Sequence, residues 1–249
     1  RSLAALDQWM TDNHQRIMEA AKRPPARPGD APPVYLDYTT ALYLYGRSFY
    51  IAEHPIAPQH QQALKFWLDQ AQKHWLKLGS LQSQAHLALA LARFGDRATA
   101  QQIVDSLKER SLTNEELGTY WPAAAQSYWW YHAPIETQAA LIEVMDEVAK
   151  DARIVENCKV WLIKQKQTQN WKSTKATADA VYALLLRGTD ILSSSRIVEV
   201  GLNAATIEPS SVEAGTGDYE HRMVGPDVQP ELGRISVTKH DEGVAWGSV

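Results

Sequence analysis

The sequence has little cysteine and no excess of basic residues. Cys158 is its single cysteine, so the chain cannot form an internal disulfide or a cysteine-rich metal site. Lysine and arginine number 25 against 29 aspartates and glutamates, which gives a net charge of −4. Because no basic excess is present to neutralise phosphates, we predict no nucleic-acid partner. No apolar run reaches the roughly 18–20 residues of a membrane-spanning helix, and we expect these residues to make no membrane contact.

Motifs for known catalytic chemistry are absent as well. The sequence contains no HExxH, GxSxG or CxxC motif, no phosphate-binding Gly-Lys-Ser/Thr loop and no EF-hand loop. Its eight histidines include no helical i, i+4 pair suited to zinc. Gly215 and Gly217 are too few for a dinucleotide-binding loop and favour a tight turn. We therefore predict a non-enzymatic chain with no catalytic residue, no cofactor and no metal site.

Tryptophan and tyrosine are abundant, with nine and ten copies. Three tryptophans lie close together in the sequence: Trp121, Trp129 and Trp130. Such a cluster either lines a sugar or peptide groove or packs where bulky helices meet. The groove interpretation, with Glu136, Asp37 and Asp179 as candidate carboxylates, would suit glycoside cleavage by a pair of acids. We favour packing, because nothing in the sequence brings two carboxylates together and Glu136 suits the first turn of a helix.

The first 192 residues have the hydrophobic period of helices. Apolar side chains recur three and four residues apart, as in 64–78 and 81–92. This pattern predicts eight or nine amphipathic helices joined mostly by short turns, which makes sequential helices antiparallel neighbours. A capping-box pattern at Thr113 and Glu116 predicts a short helical turn before Gly118.

After residue 192 the period changes to two. Residues 202–207, 235–238 and 244–246 alternate in character, which predicts strands. We therefore predict a helical domain at 1–192 and a partial β domain at 193–249, with no α-helix of three or more turns in the second. The sequence lacks an initiator Met and ends in a strand-like pattern, so we expect a fragment of a longer protein.

Several runs together resemble bacterial α2-macroglobulin-like proteins. Three runs are similar to helices of that family, in the family's order: YLYGRSF at 43–49, YHAPIETQA at 131–139 and WKSTKATADAVYALL at 171–185. The last of these matches the family pattern W-x-[ST]-T-x-A-T-x-x-A. Residues 215–217, 235–237 and 245–247 resemble the strands that follow the family's helical domain.

The resemblance implies a fold, a function and a location. It implies an α/α toroid, the domain that carries the thioester in thioester-bearing members, followed by strands of a macroglobulin-like β-sandwich domain. The family inhibits endopeptidases by trapping them after they cut a bait segment, so proteases and neighbouring macroglobulin-like domains are the implied partners. Bacterial members are exported and are often lipoproteins facing the periplasm. A cell-envelope location, with a lipid anchor on the missing N-terminus, is therefore expected.

The thioester motif of the family is not carried over. That motif is Cys-Gly-Glu-Gln, whereas Cys158 is followed by KVW. Cys158 also shares an apolar helical face with Ile154 and Leu162, which indicates a buried and unreactive thiol. We therefore expect a non-catalytic scaffold fragment of a protease trap. Two alternatives stay open: a carbohydrate-active α/α-toroid enzyme, and a helical interaction or adhesin module.

Overall fold

The computed structural model describes residues 2–22, 33–125, 133–168, 171, 173–187, 198–203, 205–207 and 221–240. Within them the chain is mainly helical and carries two small antiparallel sheets. It divides into two compact units, Arg1–Gly188 and Thr189–Val249. The described part of the first unit forms nine α-helices: α1 (Ser2–Ala21), α2 (Tyr38–Ser48), α3 (Gln61–His74), α4 (Leu81–Arg93), α5 (Arg97–Glu109), α6 (Pro122–Ala125), α7 (Pro134–Glu147), α8 (Ala152–Thr168) and α9 (Thr174–Leu186).

Helix ends follow from local side-chain chemistry. The helices predicted at 64–78 and 81–92 are confirmed, although α3 stops at His74 and a short 3₁₀ helix, Trp75–Lys77, follows it. The Ser80 side chain accepts a hydrogen bond from the backbone N–H of Ser83 and so caps the start of α4. Asx and serine caps of the same kind begin three other helices: Asp37 for α2, Asp96 for α5 and Ser173 for α9.

The helices of the first unit form a central set and a flanking set. In the central set, α2 packs against α4, α4 against α7, and α7 against α9. In the flanking set, α1 packs against α3, while α5 lies on α4 and α8 lies on α7. Because α4 and α7 have neighbours on several sides, both are buried along most of their length. Central and flanking helices therefore alternate along the chain, as in successive helical hairpins.

The helical turn predicted before Gly118 is wrong, because a β-hairpin forms there. Strand β1 (Leu112–Asn114) pairs antiparallel with β2 (Gly118–Tyr120), and Thr113 hydrogen-bonds Thr119 across the pair at 2.9 Å instead of capping a helix. The side-chain oxygen of Asn114 accepts hydrogen bonds from the backbone N–H groups of the second and third residues after it, which form the turn between the two strands. Gly118 has φ +76°, and a Cβ added to it would lie 2.2 Å from the Asn157 carbonyl oxygen of α8. Local turn chemistry and close approach to α8 thus override the capping-box pattern.

The second unit contains a three-stranded antiparallel sheet with the order β4-β3-β5. Its strands are β3 (Glu199–Leu202), β4 (Ala205–Thr206) and β5 (Ile235–Thr238), and β5 confirms the strand predicted at 235–238. The single strand predicted at 202–207 is wrong, since the register pairs Leu202 with Ala205 across a tight reversal. Asn203 has φ +57° there, a left-handed conformation that asparagine adopts readily in hairpin turns.

The described part of the second unit, 198–207 without 204 and 221–240, contains no α-helix. Two short 3₁₀ helices, Gly225–Asp227 and Pro230–Gly233, lie before β5. The turn predicted at 215–217 and the strand predicted at 244–246 fall outside the described residues. In neither unit does the described chain contain a helix that is both long enough and apolar enough to cross a membrane.

Candidate functional site

The three carboxylates considered for glycoside cleavage each bind a different partner. Asp37 accepts the Thr40 backbone N–H at 2.8 Å as the cap of α2. Glu136, in the first turn of α7, accepts a hydrogen bond of 3.5 Å from Ser173. Asp179 pairs with a lysine one turn earlier on α9. None of these contacts joins two of the three carboxylates, so the geometry does not supply an acid pair from this set.

The packing interpretation of the tryptophan cluster is confirmed for Trp121. Its side chain is fully buried, and its indole N–H donates to the Leu107 carbonyl oxygen at 2.8 Å. A buried indole with a satisfied N–H is a packing residue and presents no ring face for a ligand. The same prediction for Trp129 and Trp130 falls outside the described residues.

The Cys158 thiol is buried, as predicted. It lies on α8 within the main hydrophobic core, with no solvent exposure. Burial raises the pKa of this thiol well above its ordinary value, with a smaller contribution from the negative charge of Asp151. The thiolate, which is the nucleophilic form, is therefore disfavoured at neutral pH.

The structure brings together a polar cluster that we did not predict, here called the Glu143 cluster and formed by Tyr45, Arg93, Glu143, Glu147 and Arg187. Glu143 lies on α7 and is almost completely buried, with 2% of its surface exposed. Its Oε1 accepts hydrogen bonds from Arg93 at 2.7 Å and from Arg187 at 3.0 Å. Its Oε2 accepts the Tyr45 hydroxyl at 2.6 Å. One carboxylate on α7 therefore binds groups from α2, from α4 and from the end of α9.

The cluster lies where the central helices end. Arg93 is the last residue of α4 and Arg187 directly follows α9, so both cations are placed beside the partial negative charge of a helix C-terminus. Arg93 also donates to Glu147 at 2.7 Å, and its guanidinium lies 4.2 Å from the centre of the Phe49 ring. The two arginines thus lie among three carboxylates, because Asp146 is 3.7 Å from Arg187 as well.

His86 on α4 borders the cluster. Its ring stacks on Tyr45 with the ring centres 4.3 Å apart. Burial, and secondarily the charge of Lys175, lowers the pKa of His86 to about 4, so the imidazole is neutral at pH 7. Burial, followed by the charge of Glu143, raises the pKa of Tyr45, so its phenol remains a hydrogen-bond donor.

This arrangement suits structural cross-linking and lacks a free acid or base. Both oxygens of Glu143 already accept hydrogen bonds from protein groups, so neither is available to a ligand. Buried hydrogen-bond networks hold packed elements in one arrangement where their groups are paired, and in this cluster one buried nitrogen, Nε of Arg187, has no hydrogen-bond partner. No group of three possible metal ligands is found among the described residues either.

The sequence contained only an indirect sign of the Glu143 cluster. Glu143 is four residues after Ala139, on the apolar side of α7, and a carboxylate at such a position needs a buried partner. The partner is distant in sequence, since 98 residues separate Tyr45 from Glu143. Arginines near the ends of two predicted helices were the candidate partners of Glu143, but helix periodicity cannot indicate which helix ends lie close together.

No protein-family model matches the chain, and no curated protein is significantly similar to it.

Proposed function

We propose that this chain is a non-catalytic scaffold part of an α2-macroglobulin-like endopeptidase inhibitor. In this proposal the first unit is an arc of an α/α toroid, and the second unit is the start of a macroglobulin-like β domain. The observation that carries it is the alternation of central helices α2, α4, α7 and α9 with flanking helices α1, α3, α5 and α8. Such alternation is what an α/α toroid requires, because its inner and outer helices follow one another along the chain.

The run at 171–185, which resembles the family most specifically, has a structural explanation that supports the proposal. Ser173 caps α9 through the backbone N–H of Ala176 at 3.0 Å. Ala176, Ala180 and Ala183 are buried, and small residues at this spacing let α9 approach α7 closely. The motif thus serves helix packing, which is a scaffold role.

The chemistry of the described residues also fits a scaffold. The residue three beyond the buried Cys158 is a tryptophan rather than the glutamine of a thioester, and Glu143 pairs with Arg93 and Arg187 inside the protein. Protease capture would accordingly depend on other parts of the inhibitor. The proposal includes proteases and further macroglobulin-like domains as partners, and export to the cell envelope with a lipid anchor.

A trapping experiment on the full-length polypeptide that contains this sequence tests the proposal. We expect endopeptidases to make their first cut outside these 249 residues and then to co-elute with the cleaved protein on size exclusion. The trapped protease should still hydrolyse a small chromogenic peptide but lose activity on casein, because a cage excludes large substrates. A protease inactivated beforehand should not be captured.

Two variants separate scaffold from reactive roles. Cys158→Ala should leave capture unchanged, whereas a loss of capture in a protein that still melts normally would contradict the scaffold role. A first cut within α2 to α5, or no co-elution with any endopeptidase, would contradict the protease-trap proposal as a whole. Hydrolysis of oligosaccharides by the purified chain would instead support the carbohydrate-active alternative.

A further inference from the structure

We draw no further inference here: the strongest candidate, the apolar groove between α1, α2 and the segment 54–60, carries none, because the Arg47 nitrogen that has no hydrogen-bond partner is itself buried and nothing in the structure shows what covers the groove.

Discussion

Replacing Glu143 with glutamine is the sharpest test of how the first unit is held together. Glutamine has the size of glutamate, so Glu143→Gln leaves the packing of α7 intact and removes one negative charge. It also replaces one acceptor oxygen with an NH₂ group, which cannot accept from Arg93, Arg187 or Tyr45. Since these donors belong to α2, to α4 and to the end of α9, a single substitution weakens three tertiary connections.

The expected size of the effect follows from burial and from the remaining partners. Removing one member of a fully buried ion pair costs about 3–5 kcal/mol. Arg93 and Arg187 keep side-chain exposures of 14% and 17%, and Arg93 retains Glu147 as a second partner, so the lower end of that range applies. We expect the free energy of unfolding to fall by about 3 kcal/mol. For a unit of this size the melting temperature should then fall by roughly 6–12 °C.

Urea denaturation followed by circular dichroism at 222 nm, supported by thermal melts, measures this change. Glu136→Gln is the matched control, because it makes the same substitution on the same helix at a partly exposed site with a long hydrogen bond. The control should lose no more than about 1 kcal/mol, the usual size of a first-turn dipole effect. If Glu143→Gln is no less stable than Glu136→Gln, the Glu143 cluster does not hold the central helices together and our reasoning is refuted.

Three further predictions test other parts of the chain. Gly118→Ala should lower the free energy of unfolding by at least about 1 kcal/mol. The reason is that Gly118 has a positive φ and that the new Cβ would lie 2.2 Å from the Asn157 carbonyl oxygen. Thermal melts of this variant and of Gly79→Ala check the prediction, and equal melting temperatures would contradict it. Burial lowers the pKa of His86 from 6.5 to about 4, so the unfolded chain binds the proton more readily. The free energy of unfolding should therefore fall by about 2 kcal/mol between pH 7 and pH 5 because of His86. Urea denaturation at the two pH values measures this fall, and it should be smaller by that amount in His86→Phe. The Cys158 thiol should react with a disulfide reagent only in denaturant and should add no methylamine by intact-mass spectrometry, whereas rapid labelling of the native protein would refute its burial in the core.

Helix positions in the first unit could be predicted because local signals agree with the packing. For α4, the apolar period, the Ser80 cap and the glycine after the helix all indicate the same boundaries, and Gly95 has a positive φ as a C-terminal glycine should. For α9, the Ser173 side chain accepts the backbone N–H of Ala176 directly before the helix, as a serine at the start of an apolar helical run commonly does. Each of these signals acts within a few residues of the helix end, so no knowledge of the rest of the chain is needed.

The predictions failed where distant contacts decide the conformation. At 112–120 the capping-box pattern competes with an Asx turn at Asn114 and with the close approach of Gly118 to α8, and that approach is a tertiary contact. The reversal at Asn203 fails for a different reason. Cross-strand partners such as Leu202 and Ala205 face the same side of the sheet, so the alternation shifts by one residue at the turn. Two or three residues on either side of the turn are too few for periodicity to reveal that shift.

Two arginines, Arg47 and Arg187, illustrate how cations are held inside the first unit. An unpartnered guanidinium nitrogen alone does not identify a site, because Nε of Arg187 also has no hydrogen-bond partner. Arg187, however, lies within 4 Å of three carboxylates, and its position is explained by contacts inside the protein. Arg47 is likewise held by protein groups, because its guanidinium binds the Asp7 carboxylate at 2.9 Å and the His54 carbonyl oxygen at 2.7 Å. Both arginines therefore connect elements of the first unit: Arg47 joins α2 to α1, and Arg187 joins the end of α9 to α7.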